Sequence, residues 1–136
     1  MKFVPQYKTI AHLFPEEGDD FAAHRGRVKL WLLAHTSWEC PGCGDWMGIC
    51  HQHEGIISRS QVQGWPVERR VLIHTPYNCV LICPACNLGL DGKSPPSRAV
   101  VLRIKVERFG EAEIACWLRS LPFKVHPLRG WLEEHE

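Results

Sequence analysis

Two Cys-x-x-Cys pairs constrain what this chain can fold into more than any other feature of its sequence. The pairs are Cys40 with Cys43 and Cys83 with Cys86. Each pair places two thiolates on a tight turn, and two such turns complete the tetrahedral four-sulfur shell that suits Zn²⁺. Because four thiolates leave no open position for water, we expect a structural zinc ion at this site and not a catalytic one.

The composition is that of an ordinary globular domain. Apolar residues make up 45% and charged residues 23% of the chain, and the formal net charge is only +1. Any attraction for nucleic acid must therefore come from local patches. The sequence contains no apolar run long enough for a membrane span and begins without the apolar stretch of a secretory signal. We expect a cytoplasmic protein whose cysteines bind metal in preference to forming disulfides.

Capping residues and periodicity predict helices on both sides of the cysteine-bounded segment. Asp19 and Asp20 are alternative N-caps for a helix before the first pair. After the second pair, a helix is expected to end at Gly110. Residues 111–121 carry apolar side chains at the spacing of a helix face, which predicts that this face lies in the core.

The segment between the helices is expected to contain two short strands. Apolar and turn patterns place them within 49–57 and 79–83, with a long surface loop over 58–70. His74 is interpreted as a loop residue, since a lone histidine is usually a polar surface side chain. The chain then divides into an N-terminal extension with one helix (1–37), a core (38–92) and a C-terminal helical region (93–136).

Three motifs in order along this core resemble those of the HNH, or ββα-metal, endonucleases. They are HEGIISR at 53–59, NCVLIC at 78–83 and the dipeptide CN at 86–87. They correspond to a histidine-containing first motif, an asparagine before an apolar strand, and a Cys-x-x-Cys followed by a final His or Asn. The resemblance covers roughly 38–92 and is particularly close to the small phage and prophage members of the family.

The resemblance implies an α+β fold, with a ββα-metal core stapled by the four-cysteine zinc site and flanked by N- and C-terminal helices. It also implies DNA hydrolysis assisted by a divalent ion such as Mg²⁺, Mn²⁺ or Ni²⁺. His53 would take a proton from the attacking water, and Asn78 would orient the loop and this base through hydrogen bonds. Asn87 would bind the divalent ion through its carbonyl oxygen.

The first motif departs from the family pattern, and this leaves alternative assignments open. The family has Asp-His or His-His at adjacent positions, whereas this chain has His53-Glu54 followed by an apparently inserted Gly55. With a register shift of one residue, His53 becomes a metal ligand and Glu54 the base. Glu54 is equally a candidate carboxylate ligand, and His51 is a further option because residues two apart on a strand share a face. Since no histidine follows Cys86, we expect weak, exchangeable binding of the catalytic ion.

The expected partner is double-stranded DNA. Arg59, Arg69 and Arg70 flank the long loop and are candidates for phosphate contacts, which position a duplex without reading its sequence. One alternative is a zinc-ribbon DNA-binding module without catalysis. Another is a phage packaging accessory that works with a large protein partner and still nicks DNA.

Overall fold

The computed structural model describes residues 3–122 and residue 131. Its helices are α1 (Phe21–Ala34), α2 (Pro84–Leu88), α3 (Arg98–Phe109) and α4 (Glu111–Ser120), and its strands are β1 (His51–Glu54) and β2 (Cys79–Ile82). Three 3₁₀ segments lie at Lys8–Leu13, Ser60–Val62 and Val67–Ile73. The expected combination of flanking helices with a small antiparallel sheet is confirmed at this level, and α2 is a short helix that directly follows the sheet.

Local capping chemistry sets the ends of the predicted helices. Of the two candidate caps of α1, Asp20 is the N-cap, and its Oδ1 accepts a hydrogen bond of 2.7 Å from the amide of Ala23. Ser97 caps α3 in the same way, through the amide of Val100 at 3.2 Å. Gly110, with a φ of +95°, ends α3 as expected because its missing Cβ permits this conformation.

The helices also bear on the question of a membrane span. The longest of these four helices, α1, has 14 residues, whereas a bilayer requires about 20. Within the part of the chain that the structure describes, no helix is long and apolar enough to cross a membrane.

The two strands pair antiparallel, with His51 opposite Ile82 and Glu54 opposite Cys79. Side chains alternate between the faces of the hairpin, so His51 and His53 lie half-buried on one face, while Gln52 and Glu54 are buried on the other. Each strand has only four residues, and a two-stranded hairpin of this size is at best marginally stable by itself. Its stability must come from the elements packed around it.

The core is built around Tyr77, which is fully buried. Tyr77 lies two residues before the start of β2, with Asn78 between them. Its ring lies 4.7 Å from that of Phe14, 4.6 Å from that of Phe109 and 6.4 Å from that of Trp117. These contacts join the N-terminal segment, α3 and α4 to the start of β2. The apolar face predicted for α4 is confirmed, since its large side chains are buried.

Two expectations about the inter-strand segment need correction. The loop at 58–70 is mostly exposed, as predicted, but it contains 3₁₀ turns and buries Val62 and Trp65 in the core. His74 lies in a loop, as expected, but the expectation that it is a surface side chain is wrong, because its relative exposure is 0%. His74 directly follows the apolar run of the third 3₁₀ segment, and that run carries the histidine into the interior with it.

Gly55, which looked like an insertion in the first motif, is where α3 packs against the end of β1. A Cβ atom at this position would lie 2.6 Å from both γ-carbons of Val101, closer than any real packing contact. The Nε of Arg98 also donates a hydrogen bond of 2.9 Å to the carbonyl of the next residue, Ile56. The glycine is therefore required by a close helix–hairpin approach.

We expect Gly55→Ala to lower the free energy of unfolding by about 1–3 kcal/mol, because the added methyl group must push α3 away from the hairpin. Gly26→Ala is the matched control, since a Cβ there meets no atom within 4 Å and alanine favours the middle of α1. Urea unfolding of the two variants measures the difference. Equal stability of Gly55→Ala and the wild type would contradict the packing described here.

Candidate functional site

The four cysteines of the two pairs meet in one cluster, and their Sγ atoms all lie within 4.8 Å of one another. The Sγ atoms of Cys43 and Cys83 are 3.8 Å apart. A tetrahedron with metal–sulfur bonds of about 2.3 Å has edges of about 3.8 Å, so the cluster has the dimensions of a four-thiolate metal site. These residues can hold a metal ion, as the spacing of the pairs predicts.

Backbone N–H groups point at the sulfur atoms and prepare them to bind a cation. The Sγ of Cys40 accepts hydrogen bonds from the amides of Gly42 at 3.4 Å and Cys83 at 3.3 Å, and the Sγ of Cys83 accepts one from Cys86 at 3.4 Å. Burial opposes ionisation of the Cys40 thiol, but these donors outweigh it and lower its pKa to about 7. At Cys40 the donors thus favour the thiolate form that metals bind, whereas burial raises the pKa of the Cys86 thiol.

The cluster closes the open end of the hairpin. One cysteine pair precedes β1 and the other follows β2, so a bound metal joins the chain ends that enter and leave the sheet. A salt bridge of 2.7 Å joins Asp45, which follows the first cysteine pair, to Lys93, which follows α2. Of the other cysteines, Cys50 and Cys79 are buried and Cys116 is exposed on α4.

Asn78 holds the opposite end of the hairpin and is fully buried. Its Oδ1 accepts hydrogen bonds from the amides of Ile56 at 3.1 Å and Ile57 at 2.7 Å. Its Nδ2 donates to the carbonyls of Ile57 at 2.8 Å and Ile73 at 2.9 Å. All four hydrogen-bonding positions of the amide are used, so Asn78 fixes the chain that follows β1. These partners lie just before and just after the 58–70 loop. The expected orienting of the loop and of His53, and a part in catalysis, stay predictions.

His53 is the candidate whose ring is least engaged. It lies half-buried on the same face of β1 as His51, and its imidazole makes no hydrogen bond to any residue that the structure describes. Burial lowers the pKa of His53, and the nearby charge of Glu54 offsets only part of that effect. The imidazole is therefore neutral at physiological pH, with a nitrogen able to accept a proton.

Glu54 lies on the opposite face of β1 and is surrounded by positive charge. Its Oε1 is 3.4 Å from the Nε of Arg25 and 3.6 Å from the Nε of Arg59. The Nδ1 of His74 lies 3.3 Å from the same oxygen. A carboxylate so engaged supports the strand, and the structure does not bring it onto the face that carries His51 and His53.

His74 was missed by reasoning from the sequence. Burial, followed by the charges of Arg59 and Arg25, lowers its pKa to about 3, so its contact with Glu54 is not a pair of opposite charges. Its carbonyl accepts a hydrogen bond of 2.6 Å from the Nε2 of the buried His24. The apolar residues before His74 are the local signal that indicates burial, but nothing local in the sequence indicates its neighbours.

Asn87 lies on α2, which packs against β1, and its side chain is exposed. Apart from the four cysteines, residues 3–122 and 131 contain no cluster of three or more His, Cys, Asp or Glu side chains with metal-binding geometry. A second ion would therefore depend on one or two histidines, the amide oxygen of Asn87 and water. Such a ligand set agrees with the expectation of weak binding, and its use stays a prediction.

Each of the three arginines predicted to bind DNA has an intramolecular partner. Arg59 contacts Glu54 and lies 5.3 Å from the centre of the Phe21 ring, although over half of its side chain is exposed. Arg69 pairs with Glu17 at 3.0 Å. Arg70 donates to the carbonyls of two residues in the 58–70 loop, at 3.1 and 2.6 Å, and so braces that loop. Their contact with DNA stays a prediction, and Arg59 is the most accessible of the three.

Comparison with known proteins gives no match: no protein-family model, no curated protein and no solved structure matches this chain. The resemblance to HNH endonucleases therefore rests on the sequence motifs.

We expect the purified chain to contain about one zinc ion, measured by elemental analysis, because the sulfur atoms already have the spacing of a tetrahedral site. Cys43→Ser should lose the zinc and unfold at a lower temperature, since the open end of the hairpin is then no longer joined. Cys116→Ser, which changes an exposed thiol on α4, should retain it. Zinc-free wild-type protein with an unchanged melting temperature would contradict this account.

Proposed function

We propose that this chain is a metal-dependent DNA endonuclease of the HNH type. The observation that carries the proposal is the position of His53: a neutral, half-buried imidazole with no hydrogen-bond partner among the described residues, on a hairpin fixed at both ends. The polar atoms of buried side chains normally make hydrogen bonds. A half-buried imidazole without such a partner is therefore available to bind a ligand or to take part in a reaction.

In the proposed reaction, His53 removes a proton from a water molecule whose oxygen attacks the phosphorus of DNA. A bond forms between that oxygen and phosphorus, and the bond from phosphorus to the 3′ oxygen breaks. The 3′ oxygen then takes a proton from a solvent water molecule and leaves as a 3′-hydroxyl. Of the alternatives that the sequence leaves open, the engagement of Glu54 with Arg25 and Arg59 favours His53 as the base. Glu54 then acts as a structural anchor of β1.

The chain's own donors for a divalent ion are His51, on the face shared with His53, and Asn87 on the helix that packs against β1. Imidazole nitrogen and amide oxygen both bind such ions, so these residues fit a weakly held cation that keeps several waters. When bound, the ion supplies positive charge that stabilises the phosphate and the departing oxygen in the transition state.

The expected substrate is duplex DNA, and Arg59 is the best-placed phosphate contact. Its guanidinium lies over the ring of Phe21, and more than half of its side chain faces solvent. Stacking on an aromatic ring leaves the N–H edge of the guanidinium able to donate to a phosphate. A role with a phage packaging partner is a further prediction of the resemblance.

We expect the purified chain to nick or linearise supercoiled plasmid with Mg²⁺, Mn²⁺ or Ni²⁺. His53→Ala should lower the cleavage rate about 10²–10⁴-fold, because the proton acceptor is lost. The matched control is His12→Ala, which removes an exposed histidine far from β1 in the sequence and should cleave like the wild type. All three proteins should keep their zinc and melting temperature.

The same assay tests the alternative of a zinc-ribbon binding module. If wild type and His53→Ala shift the mobility of DNA equally but cleave nothing with any of these ions, the chain is a binding module and the nuclease proposal is wrong.

The pH dependence of cleavage provides a separate prediction. The rate should follow the neutral fraction of His53, and burial lowers the pKa of His53 below its usual value of 6.5. As the pH falls, kcat/KM, which reports the free enzyme, should therefore reach half of its plateau below pH 6.5 and not above it. Measurement of kcat/KM from pH 5 to pH 8, with unfolding checked at each pH, tests this. A half-maximal point above pH 7 would rule out His53 as the base.

A further inference from the structure

The guanidinium of Arg25, on α1, contacts β1 at the two residues that flank His53. Its Nη2 donates a hydrogen bond of 3.2 Å to the carbonyl of Gln52, and its Nε donates one of 3.4 Å to the Oε1 of Glu54. The two contacts lie immediately before and after His53 in the sequence. Arg25 therefore holds the strand on both sides of the proposed base.

The carbonyl that Arg25 binds is one that the sheet leaves unpaired. The amide of Gly55 donates to the carbonyl of Asn78 at 2.8 Å, which makes these two a hydrogen-bonded pair of the ladder. Because such pairs alternate along antiparallel strands, the backbone groups of Gln52 point away from β2. In the described part of the chain the sheet has two strands, so no further strand there accepts them. At this edge of the sheet, the guanidinium of Arg25 donates the hydrogen bond that a third strand would otherwise supply.

The position of Arg25 is itself fixed by the packing of α1. The adjacent residue on α1, His24, is buried and donates to the carbonyl of His74 at 2.6 Å, and the ring of His74 lies beside Glu54. The side chain of Val28, one helical turn further on, is fully buried. Helix α1, His74 and β1 thus contact one another around the guanidinium of Arg25. These contacts resist small shifts of β1.

We infer that Arg25 is a positioning residue: it fixes the segment Gln52–Glu54 so that the imidazole of His53 stays aimed at the reacting water. The inference rests on the proposed function. The fork of the guanidinium suits this task because it reaches a backbone carbonyl and a carboxylate at once, whereas a lysine ammonium is a single point of charge on a flexible stem. Arg25 does not contact DNA or the reacting atoms in this account.

The test compares Arg25→Met and Arg25→Lys with Arg27→Met and Arg27→Lys in the full chain. Arg27 lies on the same helix but is exposed, and it has no hydrogen bond or ion pair within the described part of the chain, so it is a matched loss of one charge. Plasmid or oligonucleotide cleavage with Mn²⁺ gives kcat and KM, and zinc content and thermal unfolding monitor the fold.

For Arg25→Met we expect kcat to fall about 10–100-fold with KM changed less than about twofold, because a misplaced base slows the chemical step without weakening DNA binding. Arg25→Lys should lose less, since it keeps one of the two contacts. The Arg27 variants should match the wild type in both constants. In protein that is folded and zinc-loaded, a merely destabilising change would leave both constants unaltered. A lower kcat at unchanged KM therefore indicates a positioning role.

An active wild type with Arg25→Met equal in kcat to Arg27→Met would overturn the inference and leave the proposed function intact. If Arg25→Met does not fold, Arg25→Lys decides: a kcat equal to that of Arg27→Lys overturns the inference, and a lowered kcat at unchanged KM supports it. A wild type that cleaves nothing with any ion would overturn the proposed function and this inference with it.

Discussion

A hairpin of two four-residue strands cannot hold itself together in water, and the rest of the structure can be understood as the means of holding it. Four thiolates can close its open end around a metal ion. The side chain of Asn78 ties the chain that leaves β1 to the chain that enters β2 at its other end. Between these two ends, α1 packs against β2, α3 packs against Gly55 directly after β1, and one face keeps two half-buried histidines.

Different interactions hold the two ends of the hairpin: a four-thiolate cluster at one end and the hydrogen bonds of Asn78 at the other. The thiolate cluster joins segments far apart in the sequence, where a metal removes much of the freedom of the unfolded chain. Asn78 works in the dry interior, where an amide with all four hydrogen bonds satisfied is stabilising and one left unpaired is costly. Together they hold the hairpin that carries His53 at both ends, which is what the proposed reaction requires of a base that must meet a water molecule in a set geometry.

Local sequence signals predict the elements well, because caps, turns and periodicity act over a few residues. Asp20, Ser97 and Gly110 mark helix ends, and the cysteine pairs predict their own convergence. The contacts that arrange the site are long-range and have no such signature. Nothing near Arg25 indicates that its guanidinium reaches β1, nothing near Gly55 indicates that Val101 lies against it, and the burial of His74 depends on the helix packed over it.

The face assignment of Glu54 shows the same limit. In the sequence it stands beside His53 and competes with it for every catalytic role. In the folded chain, the alternation of a strand sends the two side chains to opposite faces, and two arginines meet the carboxylate. Because adjacent side chains of a strand point to opposite faces, His53 and Glu54 meet different surroundings although they are neighbours in the motif.

The central claim is that a water molecule attacks phosphorus in DNA and displaces the 3′ oxygen. Cleavage in water enriched in ¹⁸O, followed by mass spectrometry of the fragments, tests it most directly. The account predicts one ¹⁸O atom in each new 5′-phosphate and an unlabelled 3′-hydroxyl on the other fragment. Fragments that end in a 3′-phosphate, or a 5′-phosphate without the label, would contradict it.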